Sequence, residues 1–148
     1  NNVPVTYQML NNQPIVDQVI FNPTFKDQIY FVYLNQKRDS KEAIANFRKK
    51  QKNLSKEIKQ VSQMTDELLE IQDLATFISF FKTYEQNLSA ILETPTIQAQ
   101  LFPDFPGLVK SLGGWGGDFV MVASKTNPTD YFTQKGFNTI LSYNEMIL

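Results

Sequence analysis

Residues 26–34 have the sequence KDQIYFVYL, an almost continuous run of β-branched and aromatic residues. This composition is typical of a β-strand, and the apolar half predicts a central strand that is covered on one or both faces. On its N-terminal side, residues 3–8 alternate between apolar and polar side chains, and residues 15–21 form a second apolar run. Because Asn11-Asn12 between these runs tolerates positive φ angles, the sequence predicts a β-hairpin before the central strand.

The chain after this strand changes to a helical period. Asp39 with Glu42 three residues later resembles a capping box and predicts one helix start, and Asn53 with Ser55 predicts a second. The clearest helix is predicted over about residues 65–92, where apolar residues recur at the i, i+3, i+4, i+7 spacing of one helix face. These apolar residues are Leu74, Phe77, Ile78, Phe81, Leu88, Ile91 and Leu92. The proline three positions further on ends this helix.

The last third of the chain returns to strands. Residues 108–112 and 118–123 are short apolar runs that flank a glycine-rich turn. Asn127 is a good N-cap for a short helix that Gly136 can end in the left-handed conformation, and residues 137–143 supply a final strand. Without the leading hairpin the order is β-α-β-β-α-β. This order predicts an α+β fold of the ferredoxin-like, split β-α-β type, with the helices on one face of the sheet.

Composition excludes several classes of protein. The 148 residues include 12 Phe and 6 Tyr and carry a net charge of −1, which excludes a disordered chain. The absence of Cys and His excludes disulfides, thiolate nucleophiles, the Ser-His-Asp triad and almost every zinc site. No apolar run approaches 18 residues, so we expect no membrane partner, and balanced charge predicts no nucleic-acid partner. A chain without Cys fits the reducing cytoplasm. We assign no catalytic residue and no metal ligand.

A glycine-rich segment is the main candidate for a functional site. Four of the six glycines lie within residues 113–117, namely Gly113, Gly114, Gly116 and Gly117. Closely spaced glycines let successive backbone N–H groups converge on an anion, and Lys110 and Ser111 just before them could add a charge and a hydroxyl. The segment is not a P-loop, because no GKS or GKT ending and no helix follows it. The residues alone leave a phosphate-binding nest and a plain glycine-rich hairpin equally open.

Three neighbouring features each have two interpretations. Trp115 could stack on a substrate or on a partner domain, or it could pack on the core of its own domain. Asp118 could bind magnesium, or it could satisfy N–H groups of the turn. Residues 37–59 hold nine of the 14 basic side chains, which suggests either a nucleic-acid face or a solvated helix face. Because aromatic residues are not interleaved there, we favour the solvated face.

The segment KSLGGWGGDFVMVA (110–123) resembles the third signature motif of the GHMP kinases, the galacto-, homoserine, mevalonate and phosphomevalonate kinases. That motif usually has the form K-x-T/S-G-A-G-G-G-G and precedes a strand. The family's glycines match Gly113, Gly116 and Gly117, and its alanine position falls on Gly114. Leu112 replaces the usual Thr or Ser, and Trp115 replaces a Gly. The GGWGGDF form is similar to a branch of the family found in Bacteroidetes. The resemblance covers most of the chain, because residues 25–44 are similar to the opening strand and helix of the family's C-terminal domain, and the long helix and the final β-α-β follow in the family's order.

The resemblance implies an ATP-dependent kinase for a small-molecule substrate such as mevalonate or phosphomevalonate. The family's nucleotide motif, P-x-x-x-G-L-G-S-S, and its acidic residue near the transferred phosphate are absent from this sequence. The resemblance therefore implies a C-terminal half that is inactive alone, with ATP and Mg²⁺ bound mainly by an N-terminal half. In that interpretation residues 1–23 are a hairpin that belongs to or links from the N-terminal domain, and residues 24–148 are the C-terminal domain.

Two other functions stay open on the sequence. The chain could be a non-catalytic ferredoxin-like module that binds a small ligand or a partner protein, with the glycine-rich segment as a plain hairpin. A weaker alternative is an interaction protein that works through its basic helices, which salt-sensitive binding to nucleic acid would support.

Overall fold

The computed structural model describes residues 3–36, 45, 47–48, 53–113 and 117–147. Over these ranges the protein is an α+β structure with two antiparallel sheets and five α-helices. The strands are β1 (Val5–Leu10), β2 (Gln13–Gln18), β3 (Ile29–Tyr33), β4 (Leu108–Ser111), β5 (Phe119–Ala123) and β6 (Ile140–Ser142). The helices are α1 (Ser55–Leu69), α2 (Leu74–Leu92), α3 (Ile97–Leu101), α4 (Thr129–Gln134) and α5 (Tyr143–Met146). The helix start predicted at Asp39 lies outside the described residues.

Strands β1 and β2 form the predicted hairpin as a two-stranded sheet of their own. Asn11 and Asn12 have φ angles of 50° and 60°, the left-handed conformation that a two-residue reversal requires. The second strand ends at Gln18 rather than at residue 21. Both faces of the hairpin are largely exposed, and Tyr7 retains 63% of its accessible surface. An isolated two-stranded sheet is only marginally stable in water, so this hairpin has an apolar surface that its own sheet does not cover.

The second sheet has four strands in the order β4-β5-β3-β6, and every neighbouring pair is antiparallel. Strand β3 is central, as its apolar composition predicts, although residues 26–28 form a 3₁₀ turn and the strand begins only at Ile29. Because β3 and β4 both run antiparallel to β5, they are parallel to each other with β5 between them. In the same way β5 and β6 are parallel with β3 between them.

Apolar side chains cover both faces of the four-stranded sheet. On one face, Phe31 packs in a cluster with Phe77 from α2. On the other face, Val32 packs in a cluster with Phe102, which directly follows α3, and with Phe132, which lies within α4. Successive residues of a strand point to opposite faces, so these are two separate cores. The expected arrangement with the helices on one face is therefore wrong, because α3 and α4 cover the face that α2 leaves open.

The helix predicted over residues 65–92 is two helices. Asp73 interrupts it in an extended conformation and caps α2, because its carboxylate accepts hydrogen bonds from the Thr76 N–H at 2.9 Å and the Thr76 hydroxyl at 2.7 Å. These bonds lower the pKa of Asp73. The predicted start of α1 is confirmed, since the side-chain oxygen of Asn53 accepts from the Ser55 N–H at 3.1 Å. Local capping therefore overrides an apolar period that continues through the break.

Candidate functional site

The glycine-rich segment connects the two adjacent strands β4 and β5. Gly113 has φ +65°, a conformation that side-chain-bearing residues rarely adopt. At Gly117 a Cβ atom would lie 2.4 Å from the backbone oxygen of Leu112, so the two ends of the segment approach too closely for any side chain. Gly114, Trp115 and Gly116 lie outside the described residues. The backbone itself thus requires glycine at both described positions.

Lys110 and Ser111, the last two residues of β4, contact helix α2. The Ser111 N–H donates to Oε2 of Glu85 at 3.3 Å. The Lys110 ammonium donates to the Ser111 carbonyl oxygen at 2.8 Å and lies 3.7 Å from Oε1 of Glu85. It also lies 5.4 Å from the ring centroids of both Phe81 and Tyr84, within cation–π range. The end of β4 is therefore joined to α2 immediately before the glycine-rich segment.

Glu85 is the residue of this site that the sequence analysis missed. It is only 3% exposed, which is rare for a carboxylate unless it is paired. The available signal was its place on α2, four residues after Phe81 and three before Leu88, where the apolar stripe continues across it. A charged residue at a core-facing position of a helix indicates a polar partner on the element packed against it.

Burial dominates the electrostatics of this cluster. Desolvation lowers the pKa of Lys110, and the charge of Glu85 acts in the opposite direction without cancelling it. Burial raises the pKa of Tyr84, and the negative charge of Glu85 raises it further. A buried ion pair of this kind is weak evidence for stability, because removing both charges from water costs free energy.

A second side chain bonds to β4 at its other end. Oε1 of Gln98, in α3, accepts from the Val109 N–H at 2.9 Å. Its Nε2 donates to the carbonyl oxygens of Phe105 at 3.1 Å and Gly107 at 3.2 Å. Together with Glu85, this amide satisfies backbone groups along the side of β4 on which the described part of the chain places no other strand. Such bonds protect an edge strand from pairing with another chain. A cleft of about 290 Å³ runs beside both side chains.

Among the described residues, Asp118 is not part of a group of three or more acidic side chains that could hold a metal ion. Asp118 is half-buried, and its backbone oxygen accepts from the Leu34 N–H at 2.7 Å, which ties the start of β5 to the end of β3. The described part of the chain holds no such group elsewhere. These residues therefore do not fit a Mg²⁺ site by themselves, and no chemical step is assigned to Asp118.

A separate polar cluster joins the proline-containing loop to α4. The Tyr131 hydroxyl donates to Oδ1 of Asp104 at 2.6 Å, and the Lys135 ammonium lies 3.3 Å from the same oxygen. The hydrogen bond from Tyr131 is the main cause of the lowered pKa of Asp104. Burial and this bond to the carboxylate raise the pKa of Tyr131. These bonds hold the proline-containing loop against the core that contains Phe102 and Phe132.

Comparison of the chain with protein-family models, with curated proteins and with solved structures gives no match in any of the three. A proposal of family and function therefore depends on the sequence motif and on the described residues at the ends of β4 and β5. Among the helices of the described part of the chain, none is both long enough and apolar enough to cross a membrane.

Proposed function

We propose that the chain is the C-terminal part of an ATP-dependent GHMP-type kinase that phosphorylates a small metabolite. The observation that carries this proposal is segment 110–123, in which a glycine-rich motif similar to the family's third signature joins two adjacent antiparallel strands. The parent reaction would move the γ-phosphoryl group of ATP to a hydroxyl or phosphate group, with mevalonate or phosphomevalonate as the preferred substrate. We place this reaction in the cytoplasm.

The order and directions of the strands support the assignment of this domain to the ferredoxin-like fold. Two pairs of parallel strands, β3 with β4 and β5 with β6, each enclose one antiparallel strand and are each joined through helices. This interlocked arrangement is the one expected of the ferredoxin-like split β-α-β fold, and it supports that assignment. We therefore propose that residues 24–148 are a GHMP-type C-terminal domain. The coverage of both sheet faces is a feature that this chain adds to the simple two-layer form.

In the proposed enzyme the glycine-rich segment closes on the phosphate groups. Phosphoryl transfer depends mainly on positioning and on stabilisation of charge, both of which backbone N–H groups can supply. The proposed loop residues are Gly113, Gly114, Gly116 and Gly117, supported from β4 by Lys110 and Ser111. ATP and Mg²⁺ are assigned mainly to the N-terminal half, which carries the family's nucleotide motif.

The hairpin is the part of the chain that we assign to the N-terminal half. Its exposed apolar side chains include Val5, Tyr7, Met9 and Val16, each more than half exposed. Register places these four residues on one face, because Tyr7 pairs with Val16 and side chains alternate along each strand. Contiguous exposed apolar surface of this kind marks an interaction site. We propose that this face contacts the N-terminal half.

The test is a titration with MgATP that follows the fluorescence of Trp115, the one Trp of the sequence. It uses this chain alone and the same chain joined to the segment that precedes Asn1 in its gene. We expect a saturable change, together with phosphoryl transfer, in the longer protein only. In the longer protein Gly116→Val should abolish turnover while the fold persists, whereas Gly117→Val would also strain the backbone against the Leu112 oxygen. Wild-type turnover in Gly116→Val would refute the role of the loop.

A second candidate function is a non-catalytic module that binds a small ligand or a protein. The observation that favours it is that Gly113 and Gly117 are already explained by backbone conformation, without any bound phosphate. This alternative predicts no dependence on ATP even when the preceding segment is restored. The weaker hypothesis of binding through the basic run concerns residues 37–59, most of which lie outside the described ranges.

A further inference from the structure

Glu85 breaks the pattern of the helix that carries it. Helix α2 buries Phe77 and Phe81 against the sheet, and the next core-facing position holds a carboxylate with 3% exposure. An apolar residue at this position would avoid the cost of desolvating a charge. The position therefore calls for a reason beyond stability.

The contacts of Glu85 indicate where such a role would be exerted, namely at the end of β4. They reach Ser111 through its backbone N–H and Lys110 through its ammonium, and these are the last two residues of β4. Lys110 in turn donates to the Ser111 carbonyl oxygen. Both backbone groups of Ser111 are thus held, directly or through Lys110, by one side chain of α2. Leu112 and the glycine-rich segment follow at once.

We propose that Glu85 is a positioning residue for the glycine-rich segment: it fixes the point at which that segment leaves β4. Its action on the reaction is indirect, through Ser111 and Lys110, and it makes no contact with substrate. This inference rests on the proposed kinase function for its effect on activity. The claim that Glu85 fixes the end of β4 concerns this chain alone and does not depend on the kinase function.

Gln98 provides a matched control, because it makes the same kind of bonds to the same strand at the other end. Its amide bonds to Val109 and to the backbone before it, toward the end of the strand that does not lead into the glycine-rich segment. Gln98→Leu should therefore destabilise β4 without releasing the loop. Glu85→Leu should do both.

The activity experiment uses the longer protein and compares kcat and KM for the two variants. We expect Glu85→Leu to lower kcat by about 10²-fold, the loss that a small misplacement of a catalytic element produces. We expect Gln98→Leu to retain kcat near that of the wild type. Glu85→Gln, which keeps an acceptor for the Ser111 N–H, should recover part of the loss. Equal values of kcat for Glu85→Leu and Gln98→Leu would overturn the inference.

A double variant separates positioning from stability. Glu85→Leu combined with Lys110→Met replaces the ion pair by apolar side chains of similar length, a change that is often neutral or stabilising. We expect the melting temperature to recover only in part and kcat to stay low, because the buried Ser111 N–H still lacks its acceptor. Recovery of both together would show that the pair is merely structural.

A readout on the 148-residue chain keeps the inference independent of the proposed function. Trp115 lies in the middle of the segment, so its fluorescence anisotropy and its quenching by acrylamide report how firmly the segment is held. We expect lower anisotropy and stronger quenching in Glu85→Leu and wild-type values in Gln98→Leu. If the wild-type longer protein transfers no phosphoryl group, the proposed function fails, and this comparison still decides the role of Glu85. Unchanged Trp115 signals in Glu85→Leu would refute it.

Discussion

Replacement of Gln98 by Leu tests how the free edge of the four-stranded sheet is stabilised. Leucine keeps most of the apolar volume of the side chain but loses all three hydrogen bonds to the backbone around β4. The Val109 N–H loses its acceptor at a buried residue, which costs about 1–3 kcal/mol. The carbonyl oxygens of Phe105 and Gly107 each lose a donor, at a net cost of about 0.5–1.5 kcal/mol.

Because of the adjacent cleft, we expect the total loss of unfolding free energy to lie in the lower half of the sum of these three costs. Water in a cleft of about 290 Å³ can reach part of this edge and replace some of the lost bonds. We therefore expect Gln98→Leu to lower the free energy of unfolding by about 2–4 kcal/mol, a large share of the 5–15 kcal/mol typical of a domain. The assay is urea unfolding followed by circular dichroism, with the slope of the transition unchanged.

The control is the same substitution two residues further along α3. Gln100 donates one hydrogen bond, to the Pro95 oxygen at 2.7 Å, in an exposed position where water can take its place. Gln100→Leu should therefore change the free energy of unfolding by no more than about 0.5 kcal/mol. Gln98→Leu should in addition promote association at high concentration, since it uncovers strand edge. Equal stability of the two variants would refute the reasoning, because the bonds to β4 would then contribute nothing.

Three further predictions follow from other parts of the molecule. Gly117→Ala should lower the free energy of unfolding by about 1–3 kcal/mol, measured by urea unfolding, because its Cβ would overlap the Leu112 oxygen. Tyr131→Phe should destabilise the protein near neutral pH, and in unfolding curves at several pH values the difference from wild type should shrink as the pH falls below 3.8. The reason is that the lowered pKa of Asp104 stabilises the folded state only while that carboxylate is ionised. Removal of residues 1–20 should leave the melting temperature of the remainder unchanged, because that hairpin exposes nearly all its side chains.

The elements that the sequence predicts well are those that local chemistry determines. The reversal at Asn11-Asn12 requires positive φ angles, which few residues other than Asn and Gly adopt. The same applies to Gly136, whose φ of 88° ends the short helix as predicted. Strand β3 is recognisable because its run is short and rich in β-branched and aromatic residues, which favours a strand over a buried helix.

The errors arise where tertiary packing or a single cap decides the outcome. The apolar period continues past Asp73, so only the capping bonds to Thr76 reveal that one predicted helix is two. Helix α3 has five residues, too few for a periodic signal. The coverage of both sheet faces depends on Phe102 and Phe132, and nothing local in a Phe says which face of a distant sheet it covers.

The candidate site shows the same division between local and tertiary information. The glycine-rich segment is visible in sequence because glycine marks unusual backbone conformations, and the structure explains Gly113 and Gly117 in those terms. The partner that holds the segment at β4 lies 26 residues before Ser111 on another element. Its only trace in the sequence is that Glu85 violates the apolar pattern of α2. A residue that breaks a local rule at a cost in stability is where a functional constraint is to be sought, so conflicts with periodicity are as informative about a site as motifs are.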